Sequence, residues 1–203
     1  MDCFYIDTSR DRLSVGLVSG SLWLTRERIE GRHDQVLLES IRELCVESNL
    51  SIGDIDRCVV VNGPGSFTGL RIAVSFIHAL DLVTPSKVLP VDQLSLLAEA
   101  AQSSHGAILD ARMDEVYVGC GRQADGTFES LQLQPVAELP SGEAWICHHE
   151  EQDRFGLELI PVTPSLQTLR GLALQMDPSR WIDGHQLTPR YVRQTVSWKP
   201  LVA

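Results

Sequence analysis

The run Cys58-Val59-Val60-Val61-Asn62, followed at once by Gly63-Pro64-Gly65-Ser66-Phe67-Thr68-Gly69 and then by a helical pattern to Val83, constrains this chain more than any other stretch. Four apolar residues without polar alternation read as a buried strand. The glycines let the backbone turn sharply, and Ser66 or Thr68 is placed to cap the helix that follows. In that helix, roughly 68–83, Leu70, Ile72, Ala73, Val74, Phe76, Ile77, Ala79 and Leu80 point around nearly the whole circumference, so it should be covered on more than one side.

Three strands precede this unit. Residues 3–8 are a short apolar run ending on polar groups, 13–18 alternate every second residue, and 22–29 follow a turn at Ser19-Gly20, which together predict an antiparallel meander. Between 32 and 48, Leu37, Leu38, Ile41, Leu44 and Cys45 recur at three- and four-residue steps, with Asp34, Glu39, Arg42, Glu43 and Glu47 between them, as in an amphipathic helix. Beyond the central unit the pattern predicts a strand at 88–91, a helix at 93–101, a strand at 107–109 and a hairpin of 115–120 with 127–133 around Asp125-Gly126. The order βββαβαβα then ββ is that of an α/β lobe with a mixed sheet. After Pro135, prolines break the chain into short segments, with a helix from Ser165 to Met176. The stretch 191–198 is too apolar for a free linker and is expected to pack back on the fold. Residues 1–102 are therefore assigned to an N-terminal lobe and 103–203 to a smaller C-terminal one.

Charge narrows the function. A formal net charge of −10 offers nucleic-acid phosphates no broad cationic surface, and counterion release drives most non-specific binding. Direct grip on RNA is not expected. The five cysteines are odd in number, widely spaced and without a C-x-x-C pair, which argues against a disulfide framework or a zinc ribbon and for reduced thiols. With no basic leader and no apolar run near eighteen residues, neither export nor membrane insertion is indicated, and a cytoplasmic location is expected.

Candidate chemistry is sparse. Gly63, Gly65, Ser66, Thr68 and Gly69 form either an anion cradle at a helix start or a structural turn. The P-loop spacing G-x-x-x-x-G-K-[ST] is not met and no lysine follows, so the turn is the preferred reading. Asp7 and Asp110 each end a short strand, where magnesium-orienting aspartates of actin-like ATPases lie. Asp7-Thr8-Ser9 lacks a glycine for close phosphate approach, and Arg112 follows Asp110, so capping or turn roles are favoured for both. Cys147-His148-His149 is the one histidine cluster, but neighbours on a strand point to opposite faces and rarely converge on one metal. Ser66 does not meet the G-x-S-x-G spacing. No cofactor, metal or catalytic residue is assigned.

Four stretches taken together, Ile6-Asp7-Thr8-Ser9, Arg32-His33 with Leu37-Leu38, Gly63 to Arg71, and Asp110-Ala111-Arg112-Met113-Asp114-Glu115-Val116-Tyr117, resemble the TsaB family, also called YeaZ. Tyr191-Val192-Arg193 with Val196 and Trp198 is similar to that family's closing segment. The resemblance implies an actin-like fold, and the second lobe of this chain departs from the family's pattern in being shortened. It also implies membership of the bacterial machinery that installs threonylcarbamoyladenosine beside the tRNA anticodon, with TsaD as catalytic partner and the ATPase TsaE joining.

In the related catalytic subunit an H-x-x-x-H motif follows the glycine loop and its helix and binds a metal. Here the corresponding 91–98 stretch has no histidine, so transfer chemistry that depends on that metal is not expected. The implied role is a non-catalytic scaffold or activator that binds TsaD through its two N-terminal-lobe helices, self-pairs through the same surface when alone, and meets tRNA only indirectly. The residues assigned to that contact are Leu37, Ile41, Arg71, Ala73, Val74, Ile77 and His78. The opposed expectations are that the sheet and a neighbouring helix cover the whole apolar belt within one chain, and that the protein is an actin-like ATP- or metal-dependent enzyme, glycoprotease-like or a phosphotransferase.

Overall fold

The structure, a computed structural model, describes residues 2–193. Its first sheet has six strands, ordered β11 (Ile182–Asp183), β5 (Lys87–Asp92), β4 (Arg57–Gly63), β1 (Cys3–Asp7), β2 (Leu13–Ser19) and β3 (Leu22–Ile29). The opening meander is β1 (Cys3–Asp7), β2 (Leu13–Ser19) and β3 (Leu22–Ile29). Then come α1 (His33–Ser48), β4 (Arg57–Gly63), α2 (Phe67–Val83), β5 (Lys87–Asp92) and α3 (Gln93–Ala101). The meander pairs antiparallel, whereas β4 runs parallel to both β1 and β5, so the sheet is mixed.

Strand alternation sorts the core onto two faces. Phe4, Ile6, Cys58 and Val60 meet Leu37, Ile41 and Leu44 of α1 and Ala73, Ile77 and Leu80 of α2. Tyr5, Val59 and Val61, their immediate neighbours in sequence, face the other way with Leu89 and Val91 of β5, onto Leu166, Leu169 and Leu172 of α4 (Leu166–Gln175). The unalternating run in β4 is thus explained by helices on both sides.

The second lobe holds the meander β6 (Ile108–Arg112), β7 (Glu115–Arg122), β8 (Phe128–Pro135) and the parallel pair β9 (Trp145–His148) and β10 (Leu159–Val162). A parallel bridge from Ala107 to Ile146 links the two sheets. Leu94, Leu97 and Ala98 of α3 pack on Ala107, Leu109, Phe128 and Ile146, so α3 lies between the lobes.

The division at residue 102 differs from the packing. Both α4 and β11 (Ile182–Asp183) belong to the first lobe, the latter pairing antiparallel with β5. Apolar surface on the far side of the first sheet has to be covered, and the chain returns from the second lobe to cover it. From there residues 184–193 form a strap. Gly184 N–H donates to Ser86 O at 2.8 Å, the Leu187 carbonyl meets His78 Nε2 at 2.9 Å, Arg190 N–H donates to Asn62 O at 2.8 Å, and Arg193 reaches Glu115 of the second lobe at 2.6 Å. The Val196 and Trp198 part of the expected closing segment lies outside the described residues. Among the described residues, no helix is long and apolar enough to cross a membrane.

Candidate functional site

The glycine loop lies against the end of β1, and its glycines are explained by that contact. A Cβ on Gly65 would collide with the Ser9 carbonyl oxygen, and one on Gly69 with that of Thr8. Gly63, at φ +121°, would push a Cβ to 2.6 Å from Arg190 O. The loop's polar groups are engaged as well. Ser66 N–H donates to Ser9 O at 2.7 Å, Thr8 Oγ1 donates to Gly69 O at 2.8 Å, and the Ser66 hydroxyl caps α2 by accepting from Gly69 N–H. The structural-turn reading accounts for Gly63, Gly65 and Gly69, and Thr68 is exposed beside them. Ser66, not Thr68, is the cap.

Beside the loop, a polar cleft of about 560 Å³ separates the lobes, lined by Ser9, Arg10, Gly65, Phe67, Asp110, Arg112, Glu151 and Arg154 among others. The chain's own charges meet inside it. Glu151, only 4% exposed, accepts from Arg10 at 2.6 Å through one oxygen and from the Asp110 backbone N–H at 2.9 Å through the other. Arg154 pairs with Asp110, and Glu150 with Arg28 at 3.1 Å. Asp7 accepts from the backbone N–H (2.9 Å) and hydroxyl (2.6 Å) of Ser9, a turn role. Loss of solvent pushes its carboxyl up, with Ser9, Arg10 and His33 pulling the other way.

The segment that would correspond to the metal motif does not fit a metal. Asp92 accepts from Ser95 N–H at 2.8 Å and Ser95 Oγ at 2.6 Å, capping α3, and the side-chain amide of Gln93, 1% exposed, lies 2.9 Å from Ser9 Oγ. Neither presents an imidazole or a vacant carboxylate. Likewise Cys147 and His148 are buried while His149 is exposed, so that cluster does not converge.

The residues assigned to a partner contact separate into two groups. Leu37, Ile41, Ala73, Val74 and Ile77 are buried against the first sheet, each 7% exposed or less, and are core residues instead. Helical apolarity all round hides which third of the circumference the sheet takes. Arg71 and His78 are exposed, but both engage the strap, Arg71 Nε donating to the Tyr191 hydroxyl at 3.1 Å and His78 meeting Leu187 O. A further set of apolar residues, none of them assigned to that contact, lies at the surface. A groove of about 500 Å³ between α1 and α2 is lined by Leu38, Phe67, Ile72, Ser75 and Ala79, with Leu38 57% and Phe67 53% exposed and Leu82 beyond them 90% exposed. Residues 72, 75, 79 and 82 fall at three- and four-residue steps, so they share one helix face, and that spacing was the available signal.

A family model described as TsaD: tRNA N6-adenosine threonylcarbamoyltransferase matches residues 27–133, more than half of the 203-residue chain. Over nearly its full length the chain is similar to a different protein. The tRNA threonylcarbamoyladenosine biosynthesis protein TsaB of Haemophilus influenzae is 26% identical over 225 aligned residues, covering 97% of this chain and 95% of that one. The Escherichia coli TsaB is 26% identical over 222 residues, covering 97% and 96%. The solved structure of YeaZ from Pseudomonas aeruginosa superposes with a TM-score of 0.75 at 26% identity, covering 94% of this chain and 99% of that one.

The chain belongs to the TsaB family.

That family stands in tRNA threonylcarbamoyladenosine biosynthesis by the names of its members. The mixed sheet and two-lobed architecture of this TsaB-family chain agree with the expected actin-like fold. The TsaD model's match runs from β3 through β8, so it takes in both the glycine loop and the 91–98 stretch, which carries Gln93 and no histidine.

Proposed function

We propose that this protein is a non-catalytic scaffold or activator subunit of the bacterial tRNA threonylcarbamoyladenosine machinery, and that it binds the catalytic subunit TsaD. The observation that supports this most is the strip formed by half-buried Ile72 and exposed Ser75, Ala79 and Leu82 on α2, beside the groove formed with α1. An apolar groove flanked by small residues lets another helix approach closely and shields both from water. A second support is the state of the two places where chemistry would be sought. The cleft is bridged by the Arg10–Glu151 and Arg154–Asp110 pairs, and residues 91–98 carry no imidazole. TsaE joins the assembly in this reading, tRNA is met only through it, and the free chain pairs with itself through the same groove in the cytoplasm.

Calorimetric titration with the cognate TsaD tests the proposal. Ser75→Glu and Ala79→Glu, both at exposed positions, should abolish the complex and leave the fold intact. Unaltered affinity in both variants would place the contact elsewhere. Titration of the chain alone with Mg-ATP and with zinc separates the enzymatic alternative, for which stoichiometric binding and turnover are required.

A further inference from the structure

The α2 strip begins at Phe67, and the exposed apolar surface continues past it. Phe67 stacks on Tyr191, which is 40% exposed. Two residues on, Arg193 Nη1 lies 4.0 Å from the Met113 sulfur, and Met113 is 60% exposed. Phe67 lines both the α1–α2 groove and the inter-lobe cleft, and Arg112 lines the same cleft, so the two lobes share one rim there.

Met113 tips the β6–β7 hairpin, where Arg112, Met113 and Asp114 have φ of 66°, 59° and 58°. L-residues disfavour that left-handed region, and two-residue hairpin loops with two positive φ values usually carry Asn-Gly or Asp-Gly. The turn is held by Arg193, which donates to Ala111 O at 2.9 Å and pairs with Glu115. A conformation that costs stability and displays a methionine needs a reason outside the chain. Arg112 adds charge to that display. Among the described residues its guanidinium makes no ion pair, in a chain of net charge −10. The size of the groove agrees. Ten residues line it, whereas a stable protein interface takes about 20–30 residues a side, so the footprint has to extend onto adjoining surface.

We infer that the partner-binding face continues across Tyr191 onto Met113 and Arg112 of the second lobe, where the same TsaD-type partner sets an apolar pocket over the thioether and a carboxylate against the guanidinium. This rests on the reading of α2 given above. An exposed methionine adapts its unbranched, polarizable side chain to such a pocket.

The test titrates the cognate TsaD into the full-length chain and its variants. Met113→Glu and Arg112→Glu should each weaken binding about tenfold or more, as expected for loss of a well-packed contact. Leu174→Glu, on α4 at the opposite face of the first sheet and 76% exposed, should leave affinity unchanged. Met113→Asn separates binding from folding, because asparagine tolerates the left-handed region. It should melt no lower than the parent and still bind several-fold more weakly. Parent-like affinity for Met113→Asn and Arg112→Glu, with Ala79→Glu still abolishing the complex, overturns the extension and leaves the α2 reading standing. Parent-like affinity for Ala79→Glu removes the α2 reading itself.

Discussion

Tyr191 stacks on Phe67 with ring centroids 5.0 Å apart and planes inclined by 26°. The Arg71 guanidinium lies 3.8 Å from the Phe67 centroid and also donates to the Tyr191 hydroxyl, so three side chains join the closing strap to the first turns of α2. Offset aromatic pairs contribute about 0.5–1.5 kcal/mol beyond their area, and half-exposed rings fall at the lower end. A double-mutant cycle of Phe67→Ala and Tyr191→Ala, read by urea unfolding, should therefore give a coupling energy of about 0.5 kcal/mol. Strict additivity would mean that the stack contributes nothing to stability.

Gly69 sits in the first turn of α2, where helix propensity alone favours alanine over glycine by about 1 kcal/mol. The contact with Thr8 reverses that sign. An added methyl would drive into the Thr8 carbonyl oxygen, which also accompanies the Thr8 Oγ1 bond to Gly69 O. Gly69→Ala should lower the melting temperature by several degrees, equivalent to about 2 kcal/mol or more for a backbone that has to shift. A rise in melting temperature would show that the loop yields easily and that propensity decides.

Ala73 and Ala79 lie six residues apart on one helix with opposite surroundings, the first 1% exposed and the second open. A carboxylate at 73 would be desolvated against Phe4 and Ile41's layer, at a cost of several kcal/mol. At 79 it stays in water, where surface substitutions typically fall within about 0.5 kcal/mol. Circular dichroism melts should find Ala73→Glu largely unfolded and Ala79→Glu parent-like. Equal stability for the two would contradict the assignment of the sheet-facing side of α2.

What could be read from the chain before its structure follows from which signals are local. The alternation of 13–18, the three- and four-residue steps of 37–45 and the Ser66 cap each act within a turn or a strand, so β2, α1 and the start of α2 were legible. Strands of two to four residues carry no period, which is why β9, β10 and β11 were not. Long-range pairing left no mark either. Glu151 is 141 residues from Arg10, and nothing in the composition of either segment shows that the two meet in the cleft. The glycine loop lay between these cases. Its sharp turn was evident, but whether a phosphate or the Thr8–Ser9 backbone occupied its concave side depended on β1 lying alongside β4.

His148 offers a pH-dependent check on the buried side of the cleft. It is 4% exposed, and burial, together with the nearby Arg10, pushes its pKa down to about 4. Its Nδ1 accepts the Glu150 backbone N–H at 3.4 Å, a bond that only an unprotonated nitrogen can take. The unfolded chain protonates this group near the ordinary histidine value of about 6.5. Between about 6.5 and 4 the unfolded state therefore binds more protons, and stability is lost as the pH falls through that window, with a limiting slope of about 1.4 kcal/mol per pH unit. Carboxylates titrate in the same range, so the parent curve alone does not isolate the imidazole. His148→Gln does, because glutamine keeps a hydrogen-bond acceptor and cannot be charged. The stability penalty of His148→Gln, measured by urea unfolding, should be largest near neutrality and shrink steadily on acidification to about pH 4.5. A penalty that stays constant over that range would mean that the folded protein accepts the proton as readily as the unfolded one, and that the β9 end of the cleft is open to water.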